Sequence, residues 1–275
     1  MTIDLDLVIA TKEDSVDMKS GLTSMQGVSD AVRCIAEGVL AEKVPERQTS
    51  KSNVRTSLKK SFKGSYGQIF SLDINNEDLK KRLNRIGHAA FIEIIGYFIS
   101  EALYKEPEPI SPKAENIVNN LGDIAEKIVQ QLRVSSLENI HDVSIKFDHD
   151  VLIRHRINRD RQKVIASFDK HSATALHAEV GAREVDLSVV VTRLNIHTGN
   201  GRIQIEGEDE TTPFGFARSY QEIATRFKKI FSHNLDHNNG IAHDKWIYLR
   251  IAALPVKLKD GRIIKYIINK VHNEN

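Results

Sequence analysis

The segment from Glu184 to Val271 constrains the fold most, because its pattern predicts the order strand, strand, strand, helix, strand, strand. Apolar residues alternate from Val185 to Val191, and Thr198-Gly199-Asn200-Gly201 then supplies a hairpin turn of the Asn-Gly kind. From Tyr220 the hydrophobic period becomes helical. A helix between the third and fourth strands is typical of the OB-fold, a small barrel that often binds oligonucleotides. An SH3-like barrel is the alternative, because element order does not fix how a sheet closes.

The third strand of this segment is predicted to lie at an edge of the sheet or to bend. It runs from Thr211 to Phe216 and contains Pro213 and Gly215. Proline cannot donate a hydrogen bond to a neighbouring strand, and glycine weakens a strand interior. Both residues therefore argue against a regular central strand.

The preceding part of the chain predicts a mixed domain with long core helices. Alternation from Ile3 to Ile9 indicates a strand, and apolar residues three and four apart from Leu22 to Val39 indicate a helix. Asn76 to Tyr104 is predicted as one helix whose second half is apolar almost all round and therefore belongs to the core. From Val143 to Phe168 the pattern turns extended. The predicted fold class is thus α+β.

Length and composition set the limits of this interpretation. At 275 residues the chain is expected to form one or two domains, predicted as residues 1–175 and 184–275. A net charge of +2 means that any nucleic-acid site must be a local patch. Cys34 is the single cysteine, so an intrachain disulfide is excluded and a cytoplasmic location is expected. Charged residues interrupt every apolar stretch, which predicts no membrane span.

Two basic clusters and two arginines of the barrel are the candidate nucleic-acid-binding residues. The first cluster lies in a segment without Asp or Glu, and the second centres on His155. Clustered cations attract phosphate through counterion release, and arginine favours bidentate phosphate contacts. The alternative is that both clusters are solvated loops balanced by nearby acids. The candidates are Arg47, Lys51, Arg55, Lys59, Lys60, Lys63, Arg154, Arg156, Arg159, Arg161, Arg193 and Arg202.

Aromatic residues of the predicted barrel offer a second kind of nucleic-acid contact. Phe214, Phe216 and Tyr248 are candidates for stacking on bases. Packing inside the barrel explains the same residues equally well, so this pattern alone leaves both interpretations open.

The segment Arg82 to His88 suggests an enzymatic alternative. Its arginine and histidine spacing is similar to the RxxxxH motif of HEPN ribonucleases, in which the pair polarises a phosphodiester. On that resemblance Arg82 or Arg85 with His88 forms the catalytic pair of a metal-independent ribonuclease. The strands predicted before this segment differ from the all-helical HEPN bundle.

A histidine series near the end of the predicted barrel helix resembles the metzincin zinc motif HExxHxxGxxH. His233, His237 and His243 match the spacing, but Asn234 replaces the glutamate that serves as general base. This replacement excludes a zinc proteinase. The three histidines remain an alternative metal site, with solvated histidines at a helix end as the preferred interpretation. No metal and no cofactor are therefore expected.

Several segments together resemble an uncharacterised bacterial two-domain family. They are the acidic strand Thr2 to Ile9, Gly64-Ser65-Tyr66, Val191-Thr192-Arg193-Leu194-Asn195, Thr198-Gly199-Asn200-Gly201-Arg202 and Thr212-Pro213-Phe214. The resemblance covers nearly the whole chain and implies an α+β domain followed by a small five-stranded barrel. It also implies bacterial genes associated with mobile elements or phage defence, and it supplies no catalytic residues.

These patterns favour a non-enzymatic bacterial protein that binds nucleic acid or a protein partner, as a component of an antiviral system. The ribonuclease is the enzymatic alternative. The second alternative is a structural assembly subunit, in which the helix from Asn76 to Tyr104 mediates homo-oligomerisation and the barrel docks a partner protein.

Overall fold

The chain folds into two compact units. The computed structural model describes residues 1–12, 15–46, 49, 51–62, 65–158, 160–218 and 220–272. The units comprise Met1–Leu176 and His177–Asn275. Together they form a mixed α+β protein, as the sequence predicts. No helix within the described ranges combines the length and apolarity needed to cross a bilayer.

The first unit contains a five-stranded antiparallel sheet with the strand order β2-β3-β1-β4-β5. The strands are β1 (Thr2–Ile9), β2 (Val54–Phe62), β3 (Tyr66–Ile74), β4 (Val151–Arg156) and β5 (Gln162–Phe168). The helices are α1 (Met18–Ala41), α2 (Glu77–Ile86), α3 (His88–Ala102), α4 (Pro112–Asn120), α5 (Asp123–Gln131), α6 (Leu137–Ile140), α7 (Asp142–Phe147) and α8 (Lys170–Thr174). A π-helical turn, Leu132–Ser136, joins α5 to α6.

Alternation along β1 determines which side of the sheet meets the helices. Ile3, Leu5, Leu7 and Ile9 are buried in one hydrophobic core with the apolar residues of α1 and α3. Because successive strand residues point to opposite sides, the even-numbered residues of β1 lie on the other side, here called the outer face. Some of the candidate nucleic-acid-binding residues belong to this face, among them Lys60 and Arg154.

The predicted helix from Asn76 to Tyr104 is interrupted, so the prediction of one continuous helix is wrong. Gly87 ends α2 and precedes α3 with φ 82° and ψ 148°, a conformation that is essentially restricted to glycine. The core assignment of the second half is confirmed, since Phe91 and Phe98 are fully buried. The residues proposed to mediate oligomerisation therefore include the centre of this unit's own core.

The extended pattern predicted from Val143 onward is wrong over its first residues. Val143, Ile145 and Phe147 alternate with polar residues, yet they belong to the helix α7. Val143 is buried in the core and its N–H group donates to Ser24 Oγ, whereas Ile145 and Phe147 are each 44% exposed. Two exposed apolar side chains thus imitate the alternation of a strand.

The second unit is a closed five-stranded barrel with the predicted helix between its third and fourth strands. Its elements are β6 (Glu179–Val180), β7 (Val185–Leu194), β8 (Gly201–Ile205), β9 (Thr211–Phe216), α9 (Thr225–Asn238), β10 (Leu249–Lys257) and β11 (Ile263–Val271). The barrel order is β7-β8-β9-β11-β10, and β10 pairs with β7 to close it. The strands β9 and β11 run parallel and the other pairs antiparallel, which is the OB-fold arrangement.

The strand β9 is internal to the barrel, with β8 on one side and β11 on the other, so the prediction of an edge strand is wrong. It pairs with β8 from Thr211 to Phe214 and with β11 only from Phe214 to Phe216. Pro213 therefore lies where β9 has a partner on one side alone, which is where a sheet tolerates a proline.

Candidate nucleic-acid interface

The outer face of the first unit brings together residues from β1, β2 and β4. Asp6 lies opposite Ile69 of β3 on one side and Arg154 of β4 on the other. Lys60 of β2 also pairs with Ile69, so the Lys60 side chain lies on the same face of the sheet as Asp6. The two predicted basic clusters, which are far apart in sequence, therefore contribute to one surface.

Asp6 is the buried centre of an ion-pair cluster on this face. Arg156 binds its carboxylate through two nitrogens, with Nε at 2.5 Å from Oδ1 and Nη2 at 2.8 Å from Oδ2. The Nη2 atom of Arg154 donates to the same Oδ2 at 3.1 Å. Asp6 is fully buried, while the side chains of Arg154 and Arg156 are 23% and 16% exposed. Two cations share one anion, so this cluster carries a net charge of +1.

The Phe62 ring lies beside both guanidinium groups. The Cζ atoms of Arg154 and Arg156 are 5.5 and 5.4 Å from the ring centroid, within the range of cation–π attraction. Gly67 of β3 provides the space for this ring, because a Cβ atom at that position would lie 2.3 Å from the Phe62 side chain. The arrangement places a half-buried aromatic ring next to two arginines.

A β-bulge turns two consecutive lysines of β2 towards the outer face. The register between β2 and β3 shifts between Leu58 and Lys60. Lys59 forms an ion pair with Asp4 at 2.5 Å, and Lys60 pairs with a residue whose other neighbour is Asp6. Both lysines are exposed. Without the bulge, alternation would place them on opposite sides of the sheet.

An acidic residue at the far end of β3 balances part of this charge. Asp73 accepts hydrogen bonds from Thr2, Ser57 and Ser71. Burial opposes ionisation of this carboxyl group, but the three hydroxyl groups and the charge of Lys59 outweigh it and hold the pKa of Asp73 below its usual value. Asp73 is thus an anion held by local hydrogen bonds.

The remaining candidates of the two clusters are spread around the sheet. Arg55 and Lys51 are exposed at the start of β2, and Arg161 is exposed in the turn between β4 and β5. Lys163 forms an exposed ion pair with Glu108 at 3.2 Å. Arg47, Lys63 and Arg159 lie outside the described residues.

The barrel candidates differ from those of the sheet. Arg202 is only 7% exposed, and its guanidinium group donates to Thr211 Oγ1 at 2.7 Å and to the Thr211 carbonyl at 2.6 Å. Arg193 is opposite Arg202 in the β7–β8 ladder and is half-buried. The structure therefore gives Arg202 a role in joining β8 to β9, and these arginines lie in a different unit from the sheet.

The barrel aromatics mostly pack on one another. Phe214 is 1% exposed and its ring centroid lies 5.7 Å from that of Phe231. Phe216 contacts the rings of Tyr220, Phe227 and Phe231. Core packing, the alternative to base stacking, is therefore what the structure shows for both phenylalanines.

His155 lies on the side of the sheet opposite the outer face. It lines a cavity of about 390 Å³ between α3 and β5, together with Glu93, Tyr97 and Ile165. Burial, and secondarily the charge of His88, lowers the pKa of His155. His155 therefore points to the opposite side of the sheet from its neighbours Arg154 and Arg156, because successive strand residues alternate in direction.

The predicted ribonuclease residues occupy two different helices. Arg82 and Arg85 lie on α2, where they line a cleft with Lys113, and Arg82 binds Glu42. His88 is the first residue of α3, beyond the break at Gly87, and its charge acts on His155.

The histidines of the metzincin-like series are divided between α9 and the following turn. His233 and His237 line a groove along α9, whereas His243 lies in a 3-10 turn with its ring centroid 3.6 Å from that of Trp246. Across the described residues, no group of three His, Cys, Asp or Glu side chains is arranged to hold a metal ion.

The asparagine that interrupts the zinc motif has a structural role. Asn234 Oδ1 accepts the N–H of Val191 at 2.8 Å, and its Nδ2 donates to the Ile247 carbonyl at 2.7 Å. Asn238, one turn later, donates to the same carbonyl and accepts the Ile247 N–H group. Both asparagines are buried and connect α9 to the barrel strands.

Sequence reasoning missed Asp6 and Phe62 as members of the candidate interface. The signal for Asp6 was present, since a carboxylate inside an apolar alternating strand requires a buried partner. Phe62 directly precedes the end of the first basic cluster, but only the pairing of β2 with β3 shows that its ring faces the arginines of β4.

Searches of family models, curated proteins and solved structures found no match to this chain.

Proposed function

We propose that this chain binds single-stranded nucleic acid across the outer face of its first unit. The observation that supports the proposal is the position of the Phe62 ring beside Arg154 and Arg156, next to the exposed lysines of β2. Such a combination of an aromatic ring and cations on a sheet is a common way to bind unpaired bases and phosphates.

The charge of the outer face favours an anionic ligand. Among the residues that the structure describes, five cations and three anions share this face, which gives a net charge of +2: Arg55, Lys59, Lys60, Arg154 and Arg156 against Asp4, Asp6 and Asp73. A local excess of this kind attracts phosphates even though the whole chain is nearly neutral.

Stacking on Phe62 requires an unpaired base. In a duplex the base faces are covered by neighbouring pairs, so a ring on a sheet reaches them only in single strands or loops. Base stacking on an aromatic side chain contributes about 1–3 kcal/mol per base. The proposal therefore predicts a preference for single strands over duplexes of equal length.

The test is fluorescence anisotropy with labelled single-stranded RNA, single-stranded DNA and the corresponding duplexes, titrated with the full chain over a range of salt. Lys60→Glu should weaken single-strand binding and reduce the magnitude of the salt slope by about 0.7 for the lost phosphate contact. Lys127→Glu is the matched control, because it makes the same charge change at an exposed position on α5. Equal loss in both variants would indicate a general charge effect and contradict the proposal.

A second variant separates stacking from charge. Phe62→Leu keeps an apolar side chain over Gly67 but removes the aromatic face, and we expect about 5- to 150-fold weaker binding, equivalent to ~1–3 kcal/mol. Circular dichroism checks that the variant is folded. If folded Phe62→Leu binds with unchanged affinity, the Phe62 ring does not contribute to nucleic-acid binding.

A further inference from the structure

A cleft between α2 and α4 collects cations that the nucleic-acid proposal does not use. It has a volume of about 490 Å³ and is lined by Arg82 and Arg85 of α2 and by Lys113 and Asn116 of α4. The residues of each pair are three positions apart, so both members project from the same side of their helix. Two helix faces thus direct four hydrogen-bond donors into one space.

The charges in the cleft are not balanced. Arg82 donates to Glu42, the acidic residue in the lining. Arg85 and Lys113 form no ion pair or hydrogen bond with another described residue through their side chains. The cleft therefore carries two uncompensated positive charges, and an anion bound between them would lower their mutual repulsion.

The walls of the cleft also include an apolar part. Ile86 and Ile117 line it beside the basic residues, and Ile86 is 5% exposed. Arg85, Lys113 and Asn116 are exposed at its mouth, so a ligand enters without rearrangement of the helices. The combination suits a molecule with a dianionic group at one end and a less polar body at the other.

We propose that this cleft binds a phosphate monoester. The dianionic phosphate matches the two uncompensated charges, since arginine binds phosphate through paired N–H groups and lysine through a point charge. The Asn116 amide supplies a further donor, and the organic part of the ligand lies against Ile86 and Ile117. A nucleoside monophosphate and a sugar phosphate share this chemistry.

Isothermal titration with three probes tests the proposal and distinguishes the sources. The probes are inorganic phosphate, adenosine monophosphate and glucose 6-phosphate, each titrated into the full chain at low salt. We expect at least one monoester to bind with a Kd below about 1 mM, and tighter than inorganic phosphate because of the apolar wall. Tighter binding of the nucleotide identifies a nucleotide site, and tighter binding of the sugar phosphate identifies a sugar phosphate site.

Matched variants locate the binding. Arg85→Gln and Lys113→Gln should each weaken the monoester about tenfold or more, whereas Lys81→Gln, on α2 but outside the cleft, should leave it unchanged. Absence of binding by all probes, equal binding of inorganic phosphate and the esters, or an equal effect of Lys81→Gln would overturn the proposal. Lys60→Glu should retain monoester binding, so failure of this site and failure of the nucleic-acid interface are distinguishable.

Discussion

Replacement of Asn234 by alanine should destabilise the barrel strongly, although the residue makes no contact with a proposed ligand. Its side chain joins α9 to β7 through the Val191 N–H group and to the segment before β10 through the Ile247 carbonyl. Val191 lies next to a register shift in the β7–β8 ladder. The amide of Asn234 therefore completes hydrogen bonding at an irregular position of the strand.

The magnitude follows from the two hydrogen bonds. Without Asn234 the buried Val191 N–H group lacks its acceptor, which costs about 1–3 kcal/mol. The Ile247 carbonyl keeps the hydrogen bond from Asn238 Nδ2 at 3.0 Å. Loss of the hydrogen bond from Asn234 to this carbonyl therefore costs only the net value of one hydrogen bond, about 0.5–1.5 kcal/mol. The expected decrease in the free energy of unfolding is thus ~1.5–4.5 kcal/mol.

Trp246 makes the measurement specific for the second unit. It is the single tryptophan of the chain, and its indole Nε1 donates to the Ile241 carbonyl at 3.0 Å. Urea unfolding followed by its fluorescence therefore reports on the barrel. Asn239→Ala is the control, because Asn239 is exposed and lies one position beyond the end of α9.

The comparison with the control decides the outcome. A difference below about 0.5 kcal/mol between Asn234→Ala and Asn239→Ala, the usual size of a surface effect, would refute the reasoning. Asn234→Asp tests the donor alone. It keeps an acceptor for Val191 but opposes the Ile247 carbonyl, so its folded-state pKa should rise and its stability should fall as pH increases above about 3.9.

Three further predictions concern the first unit. Burial, with the nearby charges of Glu37 and Asp30, raises the pKa of the Cys34 thiol to about 12, so Ellman's reagent at pH 8 should label it only after unfolding; stoichiometric labelling of the native protein would contradict this. Burial lowers the pKa of His141, so the unfolded state binds the proton first and stability should fall as pH decreases below about 6.5. Denaturation at pH 7.5 and 5.5 should show this loss, and His141→Asn should reduce it, with His155 contributing the same way. Gly87→Ala should cost about 1–3 kcal/mol in denaturation followed by circular dichroism, because a Cβ atom there meets only Lys113 Nζ at 3.8 Å and the strain is in the backbone; an unchanged midpoint would argue against that strain.

The fold was predictable where one local pattern determines one structure. Alternation from Val185 to Val191 and the turn residues that follow it indicate a hairpin whatever the rest of the chain does, and α9 follows from its period. The predicted Asn-Gly pair is not itself the turn, because Gly201 already belongs to β8 and the connection spans residues 195–200, with a positive φ at Gly199. The break at Gly87 was not predictable, because a glycine inside an apolar helical pattern is also tolerated within helices. Ile145 and Phe147 are apolar but exposed, so the alternation of apolar and polar residues there does not mark a buried side and wrongly predicted a strand.

The candidate interface was predictable in part. The basic residues of β2 and β4 were identified from composition, but their convergence depends on β1 lying between β3 and β4. Lys59 and Lys60 lie on one face because of a β-bulge, and the residue types at these positions do not predict a bulge. The sequence shows that Asn234 replaces the glutamate of the zinc motif, but its structural use could be seen only from the positions of β7 and Ile247.

The central position of β1 has a consequence for the order in which this protein is made. Asp6 and its partner Arg154 are 148 positions apart, and β3 covers one edge of β1 long before β4 leaves the ribosome to cover the other. Until then the nascent chain presents an unpaired, largely apolar strand edge, the kind of surface that recruits strands from other chains. A fragment that stops before Val151 should therefore aggregate. Pairing of β4 with β1 covers the open edge, so the first unit is protected from aggregation only once its last two strands have been synthesised.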